Sequence, residues 1–413
     1  MGLVLYILNY KEHQVTIVMN IITYTQMKKI SSVLISVMFF LIQLPAFSGG
    51  PLEVRKGKAL SYGKRPFVYR YDKGNLGKLT NEEAVALVEG IFDIWGSVPT
   101  ALIRFKKDNP SFLDFDVTAD NFKPILQPRT DKDLNRFTPI VFDEDGSLLD
   151  AYLGVGASNS AIGIGGPVVL KIHNRFSIPE SQIVLNGKLI NGIDTGSDRE
   201  ITMELLKKTI LHEVGHAIGL DHSQINDEAI QPQTSREIKD SVPVMFPTGV
   251  NELLELKQDD ISSLSFLYPN KSELTKFGKI EGKVFRSDGK TPVLGANVVL
   301  RSTSDPLNTA ISCVSDFLAN KTGSYVFFAV PPGDYTIEIE PINEELVRTA
   351  PSRPSVGPYT KNPNDESFKN PVPRGFYTGP NQLVTNNPEE ALTITIQADQ
   401  VIKDANIIAD VKE

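Results

Sequence analysis

"LHEVGHAIGLDHS", Leu211–Ser223, holds three of the five histidines of this 413-residue chain. Residues four apart on a helix point in the same direction, so the imidazoles of His212 and His216 can reach one metal ion. Gly219 can take the left-handed conformation that ends a helix, and the chain can then turn back to bring His222 to the same ion. Three protein ligands with one open position are typical of catalytic rather than structural zinc sites.

The residues before this motif predict a long helix. Ser197 and Glu200 have the spacing of a capping box, so we expect the helix to begin near Ser197 and to run to Ile218. One face of that helix is an apolar stripe, and the opposite face carries the histidines together with further apolar residues. Because both faces suit burial, the helix is expected to cross the middle of its domain and to present the histidines to an interior cleft.

Glu213 supplies the remaining chemical group. It is rotated by about 100° from His212 on a helix, so it can reach a zinc-activated water without being a ligand. Zinc lowers the pKa of such a water from 15.7 towards roughly 7 and polarises a carbonyl. Glu213 can then act as general base and pass the proton to a leaving amine. A His-Glu-x-x-His pair alone also occurs in helices that bind no metal, but the added glycine and third histidine favour a metal site.

This pattern resembles the zinc motif of the metzincin proteases, and Ser223 after the last histidine is similar to the matrixin, or matrix-metalloprotease-like, branch. "VPVMFP" (Val242–Pro247) resembles the matrixin Met-turn, which implies that Met245 lies beneath the zinc. "LKQDDISSLSFLYP" (Leu256–Pro269) resembles the helix that closes matrixin catalytic domains. Taken singly, these segments also suit a plain core methionine and a solvated helix start. The resemblance covers residues 60–270 and implies a mixed, twisted sheet with a long active-site helix.

Three departures from the family pattern affect what the resemblance implies. The 23 positions from His222 to Met245 are more than we expect in a matrixin, so Ile225–Ser241 are interpreted as an insertion near the cleft. Matrix metalloproteases hold a second, structural zinc with several histidines; only His173 is left for one here, so such a site is not expected. Their latency uses a propeptide cysteine, whereas the single cysteine, Cys313, lies beyond the domain.

The residues upstream of the histidines predict one more helix and several strands. Thr80 and Glu83 have capping-box spacing ahead of an apolar helical stripe in Ala84–Trp95. Strands are predicted at 65–71, 101–105, 138–142 and 167–172. The glycine-rich run at 154–166 is interpreted as a long loop, since a G-x-G within it is weak evidence for phosphate binding. This order suits a mixed sheet backed by one helix.

An acidic segment raises the question of calcium. "FDEDGSLLD", Phe142–Asp150, places Asp143, Asp145 and Asp150 around a glycine, and such carboxylates could bind calcium. The segment lacks the glutamate that completes an EF-hand loop. We therefore favour an exposed acidic turn, with a calcium site as the alternative.

Beyond a linker at 271–278 the sequence is all β. Alternating runs are separated by Asp-Gly and Pro-Pro-Gly turns, and seven prolines within 351–380 predict an irregular insertion. Residues 279–413 resemble the carboxypeptidase-regulatory-like β-sandwich, a transthyretin-like module. The segment contains no histidine, so we assign it no chemistry; substrate docking, surface attachment and stabilisation stay open.

The N-terminal sequence has the pattern of an export signal. The basic Met27–Lys29 precedes an apolar run, Ile30–Leu44, and the small residues of Ala46–Ser48 suit signal peptidase. We interpret 1–48 as the signal region, with Met27 as the true start, and 49–59 as a short segment before the catalytic domain. The apolar run is shorter than the about 20 residues of a membrane-spanning helix. The chain is thus expected to be secreted, or held in a periplasm or cell envelope.

Together these features predict an exported zinc-dependent endopeptidase with an α+β catalytic domain and an all-β sandwich domain. Its expected partners are protein or peptide substrates, the chain is expected to be a monomer, and no stable membrane span is expected after signal removal. The net charge of −8 and the pI near 5.4 argue against nucleic acid as a partner. Two alternatives stay open: a non-enzymatic secreted binding or adhesion protein with a relic protease fold, and a zinc amidase acting on cell-wall peptides.

Overall fold

The computed structural model describes residues 50–126, 136–172, 175–193, 200–343 and 372–411. The predicted signal region, Ser197 and His173 lie outside these residues, as does most of the proline-rich insertion. Within the described part of the chain, no helix is both long enough and apolar enough to cross a membrane. The chain mixes helices with several sheets, as predicted for an α+β protein.

The part of the chain before residue 275 is built on one five-stranded sheet. In chain order its elements are β1 (Val54–Arg55), β2 (Lys58–Ala59), β3 (Phe67–Tyr71), α1 (Asn81–Gly96), β4 (Phe105–Phe112), α2 (Lys123–Leu126), β5 (Thr138–Asp143), α3 (Ser147–Leu153), β6 (Gly163–Ile172), β7 (Arg175–Asn186), α4 (Met203–Ala217), α5 (Arg236–Ser241), α6 (Gln258–Leu267) and α7 (Lys271–Leu274). The sheet order is β4-β3-β5-β7-β6. β3, β4, β5 and β7 run parallel, and β6 is an edge strand antiparallel to β7.

Both faces of this sheet are covered, because its central strands are apolar at successive positions. Ile140 and Phe142 of β5 pack into the large core shared with α1 and α4. Val141, between them, points to the other face and packs into a smaller cluster with α2 and α3. The edge strand β6 contacts α4 directly, so the sheet brings β6 alongside the helix that carries the histidines.

The capping box predicted for the first helix is confirmed. The Thr80 hydroxyl accepts from the Glu83 amide at 3.3 Å, and the Glu83 carboxylate accepts from the Thr80 amide at 2.9 Å. At the other end of α1, the Trp95 Nε1 donates to the Leu211 carbonyl of α4 at 2.9 Å. This buried bond joins the two helices one residue before His212.

Two of the predicted boundaries were wrong. The strand expected at 101–105 only begins at Phe105 and continues to Phe112. The glycine-rich run at 154–166 is not a loop throughout: Gly163–Gly166 already belong to β6. The physical reason for the second error is the close approach of β6 to α4, described below, which requires residues without side chains.

The part of the chain after residue 277 consists of two sheets. Its strands are β8 (Gly278–Phe285), β9 (Asn297–Ser302), β10 (Ala310–Val314), β11 (Ser324–Val330), β12 (Gly333–Glu340), β13 (Gly375–Phe376), β14 (Gln382–Leu383), β15 (Ile394–Ile396), β16 (Val401–Ile402) and β17 (Ile407–Ile408). One sheet has the order β10-β9-β12-β13, with β15 also on β12; the other has the order β11-β8-β17-β14, with β16 also on β8. Both sheets contribute side chains to one apolar core, which also includes Val54.

Candidate metal centre

Helix α4 fixes the first two histidines one turn apart. Its N-cap is Thr202, whose hydroxyl accepts from the Leu205 amide at 3.0 Å. The predicted cap near Ser197 was therefore placed too early. Glu200, its supposed partner, accepts instead from Lys78 Nζ at 3.0 Å. The end of the helix matches the prediction: α4 stops at Ala217, and Gly219 has a left-handed φ of +97°.

The turn after Gly219 brings the third histidine to the first two. One ring nitrogen each from His212, His216 and His222 lie within 4.8 Å of one another. The Nε2 atoms of His216 and His222 are 3.1 Å apart. Among the described residues, these three histidines are the side chains whose ligand atoms converge closely enough to hold a metal ion.

Backbone carbonyls fix the protonation of two of the rings. His212 Nδ1 lies 2.8 Å from the Val244 carbonyl, and His216 Nδ1 lies 2.8 Å from the Leu220 carbonyl. A carbonyl can only accept, so each Nδ1 carries the hydrogen and each Nε2 keeps a lone pair. Burial lowers the pKa of His212 to about 3 and that of His216 to about 4, so both rings are neutral at pH 7. Three converging imidazoles of this kind fit a zinc ion.

His222 differs from the other two ligands because it lies outside regular structure. Residues 221–224 belong to no helix or strand. Its Nδ1 is 3.9 Å from a carboxylate oxygen of the buried Asp221. Ser223 follows, and its amide donates to the Met245 carbonyl at 2.8 Å.

Glu213 lies between α4 and the edge strand β6. A Cβ at Gly165 would be only 2.2 Å from the Glu213 carbonyl oxygen, and one at Gly163 would be 3.4 Å from Glu213 Cγ. The glycines therefore allow the strand to touch the helix. Burial raises the pKa of Glu213 to about 8, while a hydrogen bond from the Gly165 backbone acts in the opposite direction. The histidine motif thus has a partly buried carboxyl group next to it.

Met245, which the family resemblance places beneath the zinc, packs against helix α4. It is 1% exposed, and its Sδ is 2.3 Å from the position of a Cβ on Gly215, the residue between the two helical histidines. The same turn supplies the Val244 carbonyl that accepts from His212.

A carboxylate on α6 holds this turn, and sequence reasoning missed it. Asp260 accepts from the amides of Val244, Met245 and Lys257 at 2.9, 3.0 and 2.9 Å. Asp259 and Asp260 are each 1% exposed, so "QDDI" is not a solvated helix start. The acidic pair within a segment that resembles the closing matrixin helix was the available signal.

The three aspartates considered for calcium do not converge. Asp143 is 3% exposed, and its carboxylate accepts from the amides of Gly146, Leu148 and Leu149 at the start of α3. Asp145 accepts from the Ser147 amide and Asp150 from the Ser158 amide. The exposed turn predicted here is wrong for Asp143, whose buried carboxylate stabilises a helix terminus.

The segment interpreted as an insertion has local structure of its own. It contains a 3-10 helix at Asp227–Ile230 and the helix α5. Ala229, Val242 and Phe246 form a small buried cluster that ties the segment to the Met245 turn. The segment is therefore packed against the site.

Comparison with known proteins finds sequence similarity over part of the chain. The chain is distantly similar to plant matrix metalloendoproteinases. Metalloendoproteinase 4-MMP of Arabidopsis thaliana is 23% identical over 183 residues, which are 42% of this chain and 50% of that protein. Metalloendoproteinase 5-MMP of the same plant is 28% identical over 141 residues, 32% of this chain and 35% of that protein. The chain thus spans half or less of the relatives it matches, and no protein-family model matches it.

Proposed function

We propose that this chain is a zinc-dependent endopeptidase of the matrixin type, in which α4 is the active-site helix of a metzincin domain. The observation that carries the proposal is the convergence of three imidazoles, two of them with Nδ1 fixed on a carbonyl, beside the partly buried Glu213. The distant similarity to plant metalloendoproteinases supports it. Protein or peptide substrates follow from the same similarity.

Each residue has a specific task in this proposal. His212, His216 and His222 would hold the zinc ion through ring nitrogens, and the carbonyls of Val244 and Leu220 keep two rings in the required tautomer. Bound zinc would supply Lewis-acid polarisation of the scissile carbonyl and would lower the pKa of a water. The Glu213 carboxylate accepts a proton and later delivers it to the leaving amine.

The surroundings of Glu213 suit this task. The positive charge of a zinc ion held by the three neutral imidazoles would favour the ionised form of Glu213, which is the form that accepts a proton. The Gly165 backbone fixes the carboxyl group against β6.

The test compares the full chain with two matched glutamate substitutions on α4. Glu213→Gln keeps the shape of the side chain but cannot accept the proton, so hydrolysis of casein or gelatin should fall by about 10²- to 10⁴-fold with zinc still bound. Glu204→Gln, on the exposed first turn of the same helix, should leave hydrolysis unchanged. Zinc is counted in each purified protein.

Other outcomes discriminate among the functions. Hydrolysis by Glu213→Gln at the wild-type rate contradicts the proposed role of Glu213. A wild-type protein that binds zinc but cleaves only cell-wall peptides is an amidase, and one that cleaves neither class of substrate supports the relic alternative. A wild-type protein that binds no zinc contradicts all catalytic versions.

Domain organisation and export are part of the same proposal. We place the catalytic domain at 60–270 and a carboxypeptidase-regulatory-like domain at 279–413, and we expect the chain to be exported. Because the predicted signal region lies outside the described residues, its test is chemical. The N-terminal residue of protein recovered from the medium or the cell envelope should lie near Gly49.

A further inference from the structure

The five residues that follow the third histidine, Ser223–Asp227, form a segment that we call the anchor loop. His212 and His216 are placed by a helix, but residues 221–224 have no regular structure that could place His222. Ser223, Gln224, Ile225 and Asn226 are nevertheless each 2% exposed or less. An irregular loop is buried to this extent only where other elements provide partners for its polar groups.

Two bonds hold the loop to the Met245 turn and to α5: the Ser223 amide donates to the Met245 carbonyl, and Asn226 Nδ2 donates to the Ser241 hydroxyl. The other partners come from the sheet β10-β9-β12 and the chain that follows it. Ile225 packs against Val299 of β9 and Ala310 of β10 in one buried cluster. Val299 faces away from the core between the two C-terminal sheets, where Val298 and Leu300 lie. β9 is therefore buried on both faces, and its second face covers the anchor loop.

Polar contacts hold the loop on both sides of Ile225. Arg301 Nη1 donates to Asn226 Oδ1 at 2.7 Å, and Asn226 Nδ2 donates to the Leu307 carbonyl at 3.2 Å. The Asn343 amide donates to Gln224 Oε1 at 2.9 Å, and its side chain donates to the Asp227 carboxylate at 2.6 Å.

A further connection runs through α6. Asp259 accepts from the backbone amide of Ser312 in β10 at 2.6 Å, and the Ser223 side chain lies close enough to this carboxylate to lower its pKa. Ser223 is the residue next to His222. Gln224, Ile225, Asn226 and Asp227 of the anchor loop thus each have a partner in the C-terminal sheet or in the chain that follows it.

We infer that the β10-β9-β12 sheet is a positioning scaffold for the third metal ligand, acting through the anchor loop on His222. This inference rests on the zinc site proposed above. Arg301, Gln224 and Asn343 are positioning residues: they touch neither the three imidazoles nor Glu213, and they act through the backbone that carries His222. The sheet would then be part of the metal centre rather than a separate appendage.

The experiment uses the full chain loaded with zinc and measures the rate of zinc loss to a chromophoric chelator. Arg301→Met removes the donor to Asn226, and Gln224→Met removes the acceptor for Asn343 while keeping the side-chain length. Outer partners of metal ligands typically change metal affinity by about 10- to 100-fold, so we expect each variant to lose zinc about 10-fold faster. Unfolding midpoints of the metal-free proteins are measured in parallel.

Arg374→Met is the matched control. Arg301 and Arg374 both pair with the Glu338 carboxylate, but Arg301 also donates to the anchor loop. The control should therefore lose zinc at the wild-type rate. Equal acceleration in the two arginine variants would assign the effect to Glu338 and overturn the inference.

The remaining outcomes separate this inference from the proposed function. If Arg301→Met and Gln224→Met fold and release zinc at the wild-type rate, the inference is wrong although the zinc site stands. If Arg301→Met does not fold, Gln224→Met decides alone. A wild-type chain without bound zinc refutes the proposed function itself, and with it the inference.

Discussion

The contact between β6 and α4 makes Gly165→Ala the most informative single substitution. The added Cβ would lie 2.2 Å from the Glu213 carbonyl oxygen, 2.8 Å from its carbonyl carbon and 3.1 Å from its Cα. Real Cβ atoms do not approach other atoms more closely than 3.0 Å, so strand and helix must separate by at least 0.8 Å, the difference between 3.0 and 2.2 Å. All three atoms belong to the backbone, so no side-chain rotation relieves the clash.

The expected cost follows from that displacement. Overpacking of this kind typically destabilises by about 1–3 kcal/mol. A shift near 1 Å in a catalytic group can lower the rate by about 10²-fold, and Glu213 is the group that moves. We therefore expect Gly165→Ala to lose both free energy of unfolding and kcat/KM. The two quantities are measured by urea denaturation and with a quenched-fluorescence peptide.

Gly166→Ala is the control, because it changes the next residue of the same strand. No atom lies within 4 Å of its added Cβ. Both substitutions reduce the backbone freedom of the unfolded chain equally. We expect Gly166→Ala to keep wild-type activity and to gain about 0.4–1 kcal/mol of unfolding free energy. Equal behaviour of the two variants would refute the close approach of β6 to α4.

Three further predictions concern the rest of the chain. Gly215→Ala places a Cβ 2.3 Å from Met245 Sδ and should cost about 1–2 kcal/mol of unfolding free energy by overpacking. Gly90→Ala, on the exposed face of α1 with no atom within 4 Å, should instead stabilise by about 0.5–1 kcal/mol. A higher Tm for Gly215→Ala than for Gly90→Ala would contradict the packing of Met245 against α4. Burial, with Asp116 nearby, raises the pKa of Asp72 from 3.8 to about 8, so the contribution of Asp72 to stability should be greatest below about pH 4 and should fall as pH rises to 8. Asp116→Asn should lessen that fall in urea unfolding, and an unchanged slope would exclude coupling of the two carboxyls. Free zinc at 100 times its dissociation constant should stabilise the folded chain by about 2.7 kcal/mol, seen as a Tm that rises with zinc; a Tm independent of zinc would argue against the metal centre.

The features that sequence predicted correctly depend on residues close together in the chain. His212 and His216 converge because they are one helical turn apart, and Thr80 caps α1 through a residue three positions on. Gly219 ends α4 through its own backbone conformation. In each case the interaction is decided within a turn of helix, so local spacing was sufficient.

The features that sequence missed depend on distant partners. Asp260 accepts a hydrogen bond from the amide of Val244, 16 positions away, and Asp259 accepts one from the amide of Ser312, 53 positions away. Charged residues are rarely buried without such partners, and nothing local indicates that these partners exist. Taken alone, Asp259 and Asp260 therefore also suited a solvated helix start.

Two errors in the boundaries have their own physical causes. The Gly163–Gly166 stretch has few side chains to alternate, so it lacks the pattern by which a strand is recognised in sequence. Ser197 and Thr202 are both good N-cap residues, and the choice between them depended on Glu200. That carboxylate binds Lys78, 122 positions away, a partner that local spacing does not reveal.

The single cysteine gives the protein a built-in reporter of motion at one interface. Cys313 is 5% exposed, and burial raises the pKa of its thiol to about 12. Because the thiolate is the reactive form, a thiol reagent can modify it only when β10 opens. Cys313 follows Ser312, whose amide donates to Asp259 of α6. The rate at which the native chain is labelled therefore measures how often the β10-β9-β12 sheet separates from α6.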